Sequence, residues 1–306
     1  VKDPFRIARR GTSLYNYRMN RRAKIHRLKA LADTEEDVLL IEQIEAQRKR
    51  ILKGEQKLPA DRKTDNTGNK KGEEVRYLHM SGLTFQMKMS SAPASLDTII
   101  DVWIDNAHMG LFNFTAAQNR TILDIGANEG FYTLRMKQQN PAARVLAVEP
   151  VGATYQQLTA NLSLNSCEHV YPVHGAAYSD HRHIQLHTYP PVSTVASEDI
   201  EALDQGWIDS HQLQKEVVEA FRVDELCRRY AEDGFTEVDL LKIDVEGAEL
   251  EVVKGAQELL KRTARIVIEW HSDTQRAAVT EYLTRRGYRL TYAEDRRFGD
   301  LYFELL

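Results

Sequence analysis

Downstream of residue 120 the chain alternates between short apolar, β-branched runs and longer amphipathic stretches. Ile122, Leu123 and Ile125 predict a buried strand, followed by a turn carrying Gly126, Asn128 and Gly130 and a helix from Phe131. A second strand over 144–148 closes on Glu149, and a helix over 155–164 leads to a third strand over 169–174 that runs into Gly175, Ala176 and Ala177. Further strands are expected over 238–244 and 265–269, each followed by a helix, over 247–260 and 274–286. The chain then ends in a hairpin over 287–292 and 300–305. Strand and helix in alternation predict a doubly wound, mostly parallel α/β sheet, to which the closing hairpin adds an antiparallel strand.

The first quarter reads differently. Leu14, Tyr15, Ile25, Leu28 and Leu31 fall on one helical stripe and Val38, Ile41, Ile44, Ile51 and Leu52 on another, with Thr34 and its acidic neighbours as cap and first turn of the second helix. The expected layout is a basic helical hairpin over 1–57, a turn-rich linker over 58–74 and an α/β domain over 75–306. That domain opens with a hairpin over 75–88 turning at Ser81-Gly82 and a helix capped by Ser95, with Trp103 as a core residue. Between the third and fourth sheet strands lies an excursion too long for an ordinary βα loop. Residues 184–187 read as an added strand; His181, His183 and His187 alternate there and read first as an exposed edge, with metal ligands as the alternative, and 197–230 read as mostly helical, a substrate-facing cap at about 190–230.

Bulk properties narrow the class. The 306 residues are 42% hydrophobic with a mean hydropathy of -0.49, enough for a sizeable core. No apolar run approaches the roughly 18 residues of a membrane span and the N-terminus lacks a signal-like core, so a cytoplasmic protein is expected. Cys167 and Cys227 stand apart, which speaks against a disulfide frame or a zinc site. Residues 1–30 carry ten Lys or Arg against Asp3 alone, so a formal net charge of -4 leaves the remainder clearly acidic. That basic stretch reads first as a solvated face packed against the acidic remainder. Contact with nucleic acid or an anionic membrane, or a place at a substrate entrance, are the weaker alternatives, and the two helices also offer a surface for homo-oligomers. The chain starts at Val1 rather than Met, which leaves open whether it is a piece of a longer protein.

The turn after the first strand carries the chemistry. A dinucleotide site needs G-x-G-x-x-G against a pyrophosphate, but here Asp124 precedes Gly126, Asn128 and Gly130, and a carboxylate there repels a phosphate. Asp124 at the turn, glycines that admit a ligand to the backbone, and Glu149 about 20 residues on suit a cationic amino acid joined to a nucleoside. S-adenosylmethionine is such a molecule. Asp124, Gly126, Ala127, Asn128, Gly130 and Phe131 are expected at its methionine end and Glu149 at its ribose.

LLKIDVEGAELEVVKGA at 240–256, taken with LDIGANEGFYTL at 123–134 and Ile268-Glu269, resembles the FkbM-type family of S-adenosylmethionine-dependent methyltransferases, over roughly 121–271. The resemblance implies the class I methyltransferase fold, Rossmann-like, with seven strands and the last one reversed. It also implies methylation most often of a hydroxyl on a sugar or secondary metabolite, and by topology it puts Ala176 and Ala177 against the adenine; a carboxyl or modified-peptide acceptor, an RNA substrate met by the basic N-terminal helix, and a non-catalytic cofactor-binding assembly module are the alternatives. The basic extension and the insertion near 197–220 depart from the family pattern and leave the acceptor open.

Methyl transfer from a sulfonium is an in-line displacement that needs alignment, dryness and, for a hydroxyl acceptor, a base. Lys242, Asp244 and Glu246 alternate toward one side of the fourth strand, so Asp244 is expected beside the cofactor's methionine end and Glu246 toward the acceptor, unless Glu246 caps the next helix. Glu269 and His271 end the fifth strand, and His271 is the other candidate base. Asp244, Glu246, Glu269 and His271 would also suit a Mg²⁺ or mixed-ligand site. A metal is not expected, because no further carboxylate–amide pair follows the fifth strand.

Overall fold

The computed structural model describes residues 20–53, 55, 73–188, 196–197, 213–294 and 299–306. Leu14 and Tyr15, nearly all of the expected linker, and residues 189–195 and 198–212 of the expected cap lie outside the described residues.

Seven strands form one sheet: β3 (Thr121–Ile125), β4 (Arg144–Glu149), β5 (Val170–His174), β10 (Val238–Ile243), β11 (Thr263–Glu269), β12 (Tyr288–Ala293) and β13 (Asp300–Leu305). Their order is β12-β13-β11-β10-β3-β4-β5, and β13 alone runs against its neighbours. The order reverses at β3 and β10, and the tips of β3, β4, β10 and β11 meet there, where open α/β sheets take their ligands. This is the expected class I methyltransferase architecture, with the reversed strand in place.

The apolar runs are continuous because both faces of the sheet are covered. Ile122, Val145, Ala147, Leu240 and Val267 point into one core, and Leu123, Ile125, Leu146, Val148, Leu241, Ile243, Ile266 and Ile268 into the other. Helices α4 (Phe131–Gln139), α5 (Gly152–Leu164), α7 (Glu249–Gly255) and α8 (Asp273–Thr284) complete the layers. The helix expected over 247–260 is interrupted after Gly255 and resumes as a short 3-10 turn at Leu259–Arg262.

The N-terminal hairpin comprises α1 (Arg21–Lys29) and α2 (Glu35–Leu52), the second closed by the expected cap. The Asp37 N–H donates to Thr34 Oγ1 and the Thr34 N–H to Asp37 Oδ2, a reciprocal capping box. Asp37 Oδ1 also accepts the His79 N–H at 2.7 Å, which ties α2 to β1 (Val75–Met80). Strand β1 pairs with β2 (Leu83–Lys88) across the expected Ser81-Gly82 turn. Leu28, Leu40, Ile41 and Ile44 are buried in the same core as Leu78, Met80, Leu96 and Ile122, so hairpin and sheet are one packed unit.

Two expectations are corrected. The helix α3 (Ala92–Ile100) starts before Ser95, which lies inside it, and continues as a wider π-type turn over Asp101–Asp105; Trp103 is core, edge-on to Phe85 at 5.3 Å. The excursion builds a second sheet, β6 (Ala176–Tyr178), β7 (Arg182–Thr188), β8 (Ala196–Ser197) and β9 (Gln214–Arg222), in the order β6-β9-β7-β8. Gln214–Arg222 is therefore a strand where a helix was expected, with only α6 (Val223–Arg229) helical after it. Its Lys, Glu and Ala favour helix locally, but Val218 and Ala220 bury on one side against β7, a period of two that pairing enforces. Strand β7, carrying His183 and His187, lies between two others rather than at an edge.

Replacing Leu28 by Ala should lower the unfolding free energy by about 2–5 kcal/mol. Urea denaturation followed by far-UV circular dichroism and tryptophan fluorescence should show one shifted transition. A separate early transition would mean that the hairpin folds on its own.

Candidate active site

β3 ends at Ile125 and the chain turns back through Gly126, Ala127 and Asn128. The Gly126 and Ala127 N–H groups donate to the Val148 carbonyl at 3.0 and 2.9 Å. Those of Asn128 and Val151 donate to the two oxygens of Glu149, each at 2.9 Å. Glu149 thus fastens the turn to the tip of β4. Burial nevertheless outweighs these bonds and pushes its carboxyl up to about 7.

The protein itself requires both glycines. A Cβ on Gly126, at φ +79°, would stand 1.8 Å from the Asp244 carbonyl oxygen, and one on Gly130, at φ +86°, 2.6 Å from Leu158 Cδ1. They let the turn seat on β10 and α5. The role expected of Asp124 is corrected. It is 0% exposed, its Oδ2 accepts from Thr133 Oγ1 at 2.7 Å, and the cation beside it is Lys242, Nζ to Oδ1 at 3.2 Å, rather than a ligand. Phe131 packs edge-on against Phe85, Ala127 is buried beside it, and Ala176 and Ala177 are core residues of the second sheet.

Lys242 stands opposite Asp124 in the β10–β3 register. Its Nζ donates to the Gly126 carbonyl at 2.6 Å and lies 3.6 Å from Asp244 Oδ2. Burial opposes its charge, but Asp124 and Asp244 overcome that and raise its pKa.

Beyond Lys242 the strand tips bring Asp244, Glu246, Glu269 and His271 together, as expected, and add His108. His271 is clamped: Nδ1 lies 2.6 Å from Glu249 Oε1 and Nε2 3.2 Å from Glu246 Oε2. Glu249 is 0% exposed, so this contact is shielded from water. On the opposite side His108 Nδ1 lies 2.8 Å from Asp300 Oδ1, its backbone N–H donates to Asp300 Oδ2 at 2.7 Å, and Nε2 faces Asp244 Oδ2 at 3.6 Å. Two histidines, each backed by a buried acid, converge on one carboxylate. Glu246 and His108 both have positive φ, 52° and 60°. Such strain in non-glycine residues concentrates at functional sites.

The electrostatics follow. Burial works against both imidazolium ions, yet Asp300 and Asp244 push His108 up to about 10, and Glu246 and Glu249 raise His271 well above its ordinary value. Lys242 and the two histidines hold Asp244 well below the usual carboxylate range despite burial. Burial and the neighbouring Asp244 raise Glu269, and burial, opposed by His271, pushes Glu246 up to about 7.

A family model described as the methyltransferase FkbM domain matches residues 124–290, more than half of the chain. The chain belongs to this family. The methyltransferase sdnD of Sordaria araneosa is 32% identical over 194 residues, which cover 56% of this chain and 75% of that protein. The 2-O-methyltransferase NoeI of Sinorhizobium fredii is 26% identical over 171 residues, 53% of this chain and 68% of its own. The TYW2 structure from M. jannaschii in complex with AdoMet aligns at 15% identity with a TM-score of 0.42, covering 77% of this chain and 89% of that one. The chain is an FkbM methyltransferase, and S-adenosylmethionine is the cofactor of this class, as the resemblance implied.

Three site residues of this FkbM methyltransferase escaped the sequence argument. Glu249 lies within the motif, three residues beyond Glu246, where a helical position masks its buried contact with His271. His108 and Asp300 are separated by 192 residues and carry no motif at all. Of the basic residues on α1, Arg21 pairs with Glu45 and Asp97, Lys24 with Asp105 and Lys29 with Glu42, in keeping with a face packed on the acidic remainder. No helix among the described residues is long and apolar enough to cross a membrane.

Lys242→Met removes the buried cation and leaves Asp124 unpaired. The variant should lose about 3–5 kcal/mol in urea unfolding, and adding Asp124→Asn should recover much of that loss. A double variant no more stable than Lys242→Met would show that the pair is not coupled.

Proposed function

We propose that this FkbM methyltransferase transfers a methyl group from S-adenosylmethionine to a hydroxyl of a small or medium-sized metabolite, a sugar or a modified peptide, with Glu246 as the base. The observation that carries this reading is the line Glu249–His271–Glu246 at the tips of β10 and β11. Both ring nitrogens of His271 face carboxylates, so the ring is committed to holding Glu246. Glu246 keeps a second oxygen and a 22% exposed side chain. Glu246 rather than His271 is therefore the group that meets the acceptor. Its backbone sits before the helix, whose start it does not cap; the Gly247 N–H donates to Glu249 instead.

The residues fit the cofactor. Each oxygen of Glu149 accepts one backbone N–H and retains a lone pair for a ribose hydroxyl. Asp244, 25% exposed and held ionised, is the carboxylate for the cationic methionine end, a role that passes to it from the fully buried Asp124. Asn128 and the Gly126–Gly130 turn bound the space between the two. Ala176 and Ala177 keep an adenine contact by topology alone. When bound, S-adenosylmethionine would supply an electrophilic methyl carbon, its bond to sulfur breaking as the acceptor oxygen bonds in line, with S-adenosylhomocysteine as leaving group. Glu246 takes the hydroxyl proton as the oxygen–carbon bond forms, and the charged His271 keeps the carboxylate aimed. The printed name of NoeI, a 2-O-methyltransferase, supports oxygen as the acceptor atom.

Incubating the chain with methyl-labelled S-adenosylmethionine and fractionated metabolites should place label on an ether oxygen. Glu246→Gln should lower kcat by roughly 10²- to 10⁴-fold while the Kd for S-adenosylmethionine stays within about threefold. Glu149→Ala should weaken that Kd by roughly 10- to 100-fold. Calorimetry without heat from either S-adenosylmethionine or S-adenosylhomocysteine would sink the reading.

A further inference from the structure

We propose that His108, Asp244 and Glu269 hold a divalent cation of the Mn²⁺/Mg²⁺ class. One ligand atom from each lies within 4.8 Å of the other two. The set draws on three distant parts of the chain: the loop after α3, the tip of β10 and the tip of β11.

Two independent features point to an ion rather than to ordinary ion pairing. The first is His108. It is nine-tenths buried, and its Nδ1 is fixed by the fully buried Asp300, which also accepts the His108 backbone N–H and the Tyr302 hydroxyl at 2.9 Å. A carboxylate behind the far nitrogen is the arrangement that orients metal-bound histidines. Nε2 is thereby aimed at Asp244 Oδ2, but at 3.6 Å it is beyond a direct hydrogen bond. Two donors each about 2.1 Å from a shared ion stand about 3–3.5 Å apart. The second feature is Glu269, whose carboxylate has no hydrogen bond or ion pair among the described residues although it faces the same space. From sequence a metal was not expected because no further carboxylate–amide pair follows the fifth strand; His108 is a ligand of another kind, from outside the motifs.

One imidazole, whose Nε2 proton the ion displaces to solvent on binding, and two carboxylates leave several positions open and suit a hard cation that tolerates nitrogen. Lys242 Nζ stands 3.6 Å from Asp244 Oδ2, the same oxygen that faces His108, and this neighbouring positive charge limits the site to a single ion. The ion's role rests on the proposed methyl transfer: an acceptor oxygen bound to it is acidified for Glu246. The site itself stands without that reading.

The test is Mn²⁺ binding to the full chain, followed by loss of the free-ion electron paramagnetic resonance signal, beside calorimetry of S-adenosylmethionine on the same samples. The expected result is one Mn²⁺ per chain, weakened at least about tenfold by Glu269→Gln and by Asp300→Asn, with the S-adenosylmethionine Kd of Glu269→Gln unchanged. On wild-type protein, Mn²⁺ should broaden the His108 ring resonances, a readout that needs no variant. No binding below millimolar Mn²⁺, or binding that Glu269→Gln leaves intact, overturns the site. Methyl transfer undiminished in excess EDTA overturns the ion's role while the methyltransferase reading stands. Mn²⁺ binding without S-adenosylmethionine binding keeps the ion site and removes that reading.

Discussion

The ammonium of Lys242 is the constraint around which the site is arranged. A buried cation is tolerated only where acceptors surround it, and here they are Asp124 on β3, Asp244 at the tip of β10 and the Gly126 carbonyl of the turn. Those three contacts fix the height of β10 against β3. They also place the Asp244 carbonyl so close beneath Gly126 that no side chain fits. The glycine and the lysine are therefore two halves of one requirement. With Asp244 held ionised by Lys242, burial and then the Asp244 charge raise the carboxyls of Glu246 and Glu269 beyond it.

The sheet was legible because its central strands are buried on two sides and so read as unbroken apolar runs. Ile122 and Leu123 point to different cores, and a pattern of that kind has no competing helical reading. The second sheet was not legible, because β9 owes its strand state to pairing with β7 rather than to its own residues. In the site, the motif residues Asp244, Glu246 and His271 were readable as a group. The partner that completes their geometry was not: Asp300 finds His108 only because β13 inserts beside β11, with Glu269 and Asp300 paired in register. Asp124 was read with the right neighbourhood and the wrong cation, since sequence spacing places a carboxylate near the turn without saying which side of it is dry.

The N-terminal hairpin belongs to this same network. Leu28 buries it in the core, and Lys24 pairs with Asp105, the last residue of the turn that leads through Asn106 to His108. Asn106 and His108 are both in the left-handed region. A segment forced into that conformation needs anchors at each end; Lys24 with Asp105 provides one and Asp300 the other. The basic character of α1 is thus put to use inside the protein, where Arg21, Lys24 and Lys29 meet acids of later elements.

The two histidines repeat one device. Each ring has its Nδ1 locked by a fully buried acid, Glu249 for His271 and Asp300 for His108, and each presents Nε2 to the same small space. A buried carboxylate is costly, and two of them spent on orientation imply that the rings must not rotate. The partners differ in distance, though. His271 meets Glu246 at 3.2 Å, an ion pair already made, whereas His108 stops 3.6 Å short of Asp244 with Glu269 unengaged nearby. His271 faces Oδ1 of Asp244 and His108 faces Oδ2, so the proposed base and the proposed ion stand on opposite sides of the same carboxylate.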